Sequence, residues 1–147
     1  IFYMYNFILK MHSGWAYIAL IMILIATINA LIGASARNPF TAKDHRISLF
    51  ALIAVHIQFV VGLVLYFTSP NGLDKIKSVG MAGMSAMDRL LAVEHPLLNL
   101  IAIILITVGW SKHKKGADSS KFKTIAIFYG IAFILLIARL PWQNWFA

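Results

Sequence analysis

Read for hydrophobic and polar positions alone, the chain falls into four long apolar runs, near 12–35, 46–67, 91–111 and 123–140, with short polar stretches between them. Each supplies close to the roughly 20 residues needed to cross a hydrocarbon layer of about 30 Å. A backbone in lipid must bond to itself, and no run shows the ten-residue alternation of barrel strands, so all four predict helices. The expected fold is all-α: a single integral membrane four-helix bundle over 1–147, set in a lipid bilayer. The first run is too long, and too poor in small-residue cleavage signals, for a signal peptide and reads as a permanent span.

Local signals sharpen the ends. Thr41-Ala42-Lys43-Asp44 and Ser85-Ala86-Met87-Asp88 have the spacing of capping boxes, and they predict that the second and third helices start there. Pro96 then falls inside the third helix and predicts a kink. The stretch "TSPNGLDKIKSVGMAGMS" reads as the longest loop, with its methionines as adaptable filler. Tyr3, Tyr5, Trp142 and Trp145 fit an interfacial aromatic belt.

Composition agrees with the pattern: 61% of the 147 residues are hydrophobic and 12% charged, too few charges to clothe a soluble domain. Cysteine is absent, which excludes disulfides, thiolate metal sites and covalent haem attachment through C-x-x-C-H. The net charge of +8 is unevenly spread. Arg37, Lys43, Arg46, Lys112, Lys114, Lys115, Lys121 and Lys123 fall in the two connections on one side, while Lys10, Lys75, Lys77, Arg89 and Arg139 on the other are offset by Asp74, Asp88 and Glu94. Short loops rich in Lys and Arg stay cytoplasmic, so both termini are expected on the non-cytoplasmic side. Anionic lipid accounts for the basic loops; no nucleic-acid partner is implied, since no phosphate-binding glycine loop accompanies them.

Five histidines remain to be placed. His45 and His113, among lysines and arginines, read as solvated or headgroup-contacting. His12, His56 and His95 each lie in or at the entrance of an apolar run, toward the outer side, where an ionisable group usually faces the bundle interior and marks a site. His95, Asn99, Ala102, Ile106, Gly109 and His113 share one stripe of the third helix; His12, Ala16, Ala19, Ala26 and Ala30 share one of the first. Small faces let helices approach closely and leave room for a flat cofactor. On the second helix His56 is expected to look inward, with Gln58 and Gly62 on nearly the opposite side.

Two imidazoles from different helices can clamp a porphyrin, which makes haem b the expected cofactor, ligated by two of His95, His56 and His12. Phe59, Phe67 and Phe128 could pack against it, and Arg89 and Arg139 are the candidate partners for its propionates. Depth along the helices ranks His56 shallowest and His12 furthest out. Competing readings are a copper or zinc site using all three histidines with Glu94 nearby, interhelical hydrogen bonding alone, an Arg89–Glu94 pair, and Arg139 snorkelling outward. Asn29 and Gln58 read as interhelical hydrogen-bonding groups.

Three segments, "KMHSGWAYIAL", "FALIAVHIQFVVGLVLYF" and "MDRLLAVEHPLLNLIAIILITVGWSKHKK", together resemble the small four-helix membrane proteins of Bacteroidetes-type bacteria labelled cytochrome B. "HIQFVVG" is also similar to a glutamine and glycine pattern in haem-binding four-helix modules such as the halves of haem A synthase. The resemblance implies a haem b protein of the bacterial inner membrane, passing electrons or serving as a haem-bearing subunit of a larger respiratory membrane complex. A quinone site near the haem edge is compatible with it, though no motif fixes one. The alternative is a haem-free accessory subunit packed against a larger membrane partner.

Overall fold

A computed structural model describes residues 2–145, with the side chain of Phe2 excepted. The helices are α1 (Phe2–Ala36), α2 (Ala42–Thr68), α3 (Leu73–Gly83), α4 (Ala86–Lys115), α5 (Asp118–Ala138) and the short α6 (Trp142–Trp145). Among the described residues there is no strand. α1, α2, α4 and α5 are long and apolar enough to cross a membrane, and they form an all-α four-helix bundle. α1 begins well before residue 12, and the stretch expected as a loop holds α3, which breaks at Gly80, where φ is +66° and ψ 169°. That region of backbone space is open essentially to glycine alone.

Both capping boxes form. The Asp44 carboxylate accepts from Thr41 N (2.8 Å) and the Thr41 hydroxyl (2.6 Å), and also from Asn29 Nδ2 (2.9 Å), so the start of α2 is tied to α1. Asp88 Oδ2 accepts from Ser85 N (3.1 Å) and Ser85 Oγ in the same way at the start of α4. Pro96 brings no backbone N–H to the helix. The turn ahead of it, Leu90–Glu94, widens to π geometry, with His95 N–H bonding to Leu90 O.

α1 packs on α2 and α5, and α4 packs on α5 and, least extensively, on α2; α1 and α4 are therefore diagonal. The contacts run along small faces. Ala16, Ala19, Ala26 and Ala30 of α1 are buried, as are Ala51 and Ala54 of α2 and Ala102 and Ile106 of α4. A Cβ on Gly109 would overlap Phe128 Cβ of α5, so the glycine sets how closely α4 and α5 approach. Phe128 thus belongs to this contact and not to the region of His12 and His95.

The half of the bundle carrying the basic loops is solidly packed around Ile23, Ile106, Ile125 and Tyr129, none of them exposed. Tyr129 donates its hydroxyl proton to Ser48 O at 2.9 Å, joining α5 to α2. Tyr129→Phe should cost about 1 kcal/mol, since one buried hydrogen bond is lost and the cavity filling is kept. A denaturant titration of the detergent-solubilised protein followed by circular dichroism measures it.

His113 corrects the expectation of a solvated side chain: it is 1% exposed. Its ring packs against Phe40, Trp110 and His45, and Nδ1–H donates to Trp110 O at 2.6 Å. It lies on the same inward stripe as Ile106 and Gly109, and periodicity outweighs the charged neighbours at 112, 114 and 115. The lysines stay at the surface by lying over rings, Lys114 on Trp110 at 4.7 Å and Lys112 on Phe128 at 5.6 Å.

Candidate functional site

At the other end the four helices do not close. Between them lies a cavity of about 850 Å³, lined by apolar side chains from α1, α2, α3, α4 and α5 and by polar ones that include His12, Ser13, Gln58, His95 and Asn99. Its size falls in the range typical of cofactor and small-molecule sites. Phe59 and Phe67 are among the lining residues; His56 is not.

His12 and His95 meet there. Their ring centroids are 6.2 Å apart with the planes nearly perpendicular, at 85°. The depth ranking separated them; α1 and α4 are diagonal, and the long α1 brings His12 level with the first turn after the π widening. Gln58 reaches His12 from α2, donating to its backbone carbonyl at 3.0 Å, with the same nitrogen 3.4 Å from the ring Nε2. The His12 ring lies against Gly62, where a Cβ would stand 3.0 Å from Cε1. Two atoms of this group have no hydrogen-bonding partner although they are buried: His12 Nδ1 and Gln58 Oε1. Buried polar atoms in folded proteins are almost always satisfied, and exceptions in a cavity point to a ligand or water.

His95 is held from behind. Its Nδ1–H donates to Arg139 O at 2.9 Å, which fixes the tautomer and leaves Nε2 with a free lone pair. The Arg139 side chain pairs with Glu94, Nε lying 3.1 Å from Oε2. One residue at the C-terminal end of α5 thus grips both Glu94 and His95. The Arg89–Glu94 pairing does not form: Arg89 Nη1 donates to Met84 O at 2.8 Å instead.

His56 stands apart. The expectation that it looks inward is not met, because Ala51, Ala54, Val55, Gln58 and Gly62 make the inner face of α2 and carry His56 round to the flank. There Nδ1–H donates to Leu52 O at 2.7 Å and Nε2 lies 3.2 Å from the Thr107 hydroxyl of α4. Gln58 is the functional candidate that the sequence undervalued; the signal was its four-residue spacing from Gly62 on the small-residue face. Among the described residues no group of three or more His, Asp or Glu side chains is arranged to hold a metal ion. The three-histidine copper or zinc arrangement is therefore not assembled by protein ligands.

The fold and site define a multi-pass helical membrane protein with an internal cavity bearing a pair of imidazoles. No protein-family model, curated protein or solved structure matches the chain.

Proposed function

We propose that the protein binds haem b between His12 and His95, in the inner membrane of a bacterium, with both termini on the non-cytoplasmic side. It would pass single electrons, or serve as the haem-bearing subunit of a larger respiratory membrane complex, as its likeness to the small cytochrome B group implies. The observation carrying this is the pair of imidazoles, from two diagonal helices, brought together at the cavity. Imidazoles from two separate helices come together there with ring centres 6.2 Å apart, and these two side chains would hold the group.

The donor set fits as well. His95 offers Nε2, with Nδ1–H anchored on a carbonyl as ligating histidines commonly are. His12 offers Nδ1, the atom now without a partner, and the Gln58 amide nitrogen holds the His12 backbone in place through its carbonyl. Phe59 and Phe67 supply apolar wall. Arg89 and Arg139 are the cations nearest in sequence to the cavity walls at Leu91 and Leu140, but both already hold partners in Met84 O and Glu94. Arg139 contributes chiefly through its carbonyl, and propionates would have to compete for its guanidinium. The haem supplies a one-electron couple; the protein supplies ligation, orientation and a dry surround.

The test is optical. Protein purified from a haem-replete host should show a b-type α band in its reduced-minus-oxidised spectrum and close to one haem per chain by pyridine extraction. A colourless preparation that also fails to take up added haem removes this reading and leaves a packing subunit.

A further inference from the structure

The cavity walls are not alike. On the side of α1 and α5 the lining residues Ala16, Ala19 and Leu136 are buried and close that wall along the middle of the bundle, with Leu9 of α1, toward the outer end, exposed (36%). On the side of α2 and α4 several lining residues are also exposed on the outside of the bundle: Leu63 (39%), Phe67 (66%), Leu97 (52%) and Leu100 (43%). A residue that lines a hollow and also faces outward sits at an opening. All four are apolar, and they lie on helices that are apolar enough to span a membrane, so this opening faces acyl chains.

The opening has a frame. At its floor are Val55 of α2 and Ile103 of α4, both buried, with the His56–Thr107 interaction nearby joining the same two helices. Its lintel is α3, which puts Ile76 and Met81 into the cavity lining and is held to the start of α4 by Lys75–Asp88 at 3.4 Å; just beyond it Arg89 bonds Met84 O. Beyond the histidines, further polar lining lies at the far end, in Tyr5, Asn71 and Asn144, the last two exposed.

We propose that the cavity takes its ligand sideways from the bilayer, through the window between α2 and α4, and that this ligand is an amphiphile dissolved in lipid. Its apolar body crosses the window past Leu63 and Leu97, and its polar end rests at Asn71 and Asn144. The inference rests on the cavity being the binding site, as above, and it holds for a porphyrin with its acidic edge turned to the polar end. It assigns His56 a purpose that ligation does not: it sits where α2 and α4 are joined beneath the window.

The chain lacks cysteine, which gives a clean experiment. Ser13→Cys places a thiol on the cavity wall, and Ala16→Cys is the second site should the first fail to yield monodisperse protein. The full chain is reconstituted in phosphatidylcholine vesicles and offered either a lipid-partitioned alkyl maleimide or a charged, membrane-impermeant methanethiosulfonate. Labelling by the lipid-borne reagent should exceed labelling by the charged one at least tenfold. Adding Leu97→Trp, which fills the window, should slow the lipid-borne reaction at least tenfold and leave the charged one unchanged. Equal labelling by the charged reagent, insensitivity to Leu97→Trp, or no labelling at either site overturns the proposal. Haem-free protein that is still labelled through lipid loses the haem reading and keeps the entry route; haem-loaded protein labelled from water does the reverse.

Discussion

Replacing His95 by alanine should strip the protein of haem, with content per chain falling by more than about tenfold, because even outer partners of a metal ligand are worth 10–100-fold in affinity. The same loss is expected for His12→Ala. His56→Ala should keep the spectrum of the parent protein, since His56 contacts Leu52 O and the Thr107 hydroxyl and is absent from the cavity lining. Pyridine extraction of the three variants, each first shown to be monodisperse in detergent, measures this. Retained haem in His12→Ala together with loss in His56→Ala would reverse the assignment of the residues that would hold it. His95→Ala also removes the bond to Arg139 O, so Arg139 then has only its Glu94 contact to fasten the end of α5 to α4.

The second large effect concerns stability. Gly109→Val should lower the resistance of the bundle to unfolding by about 1–3 kcal/mol, the usual cost of forcing extra carbons into a filled contact. The reason is local: the added Cβ would meet Phe128 Cβ, an atom too close to its own backbone to swing aside, so α4 and α5 must separate. Gly14→Ala is the control, because a Cβ there meets nothing within 4 Å. Titration with a denaturing detergent, read by circular dichroism, should separate the two variants clearly. Comparable loss in both would show that the close approach of α4 and α5 contributes little.

Much of this architecture was legible because lipid leaves a chain few choices. Four runs of adequate length gave the spans, and the alanine stripe from Ala16 to Ala30 gave the packed face of α1. Three features resisted. The facing of α2 was ambiguous since Leu49, Val60 and Leu63 are as acceptable to lipid as to a neighbour, and periodicity cannot tell which side is inside when both are apolar. The decisive clue was the small, polar pair Gln58 and Gly62. The meeting of His12 with His95 was hidden for another reason: counting rise per residue from assumed span ends carries the error of those ends, and α1 runs further than its apolar stretch. The lysines beside His113 suggest a solvated ring, while its own stripe, shared with Ile106 and Gly109, puts it inside.

The widened turn at Leu90–Glu94 has a bearing on how α4 should be drawn. A π turn holds one residue more than the α turn it replaces, so a helical wheel carried back from Asn99 through His95 is out of phase by about 100° once it passes Leu90. That offset lets one rod address two directions: downstream it aims an imidazole at the hollow, and upstream it presents Asp88 and Arg89 to α3 and the residues that follow it. Excising a single residue here would restore ordinary winding and swing the upstream end away from its strap, while His95 and everything beyond it kept their bearing.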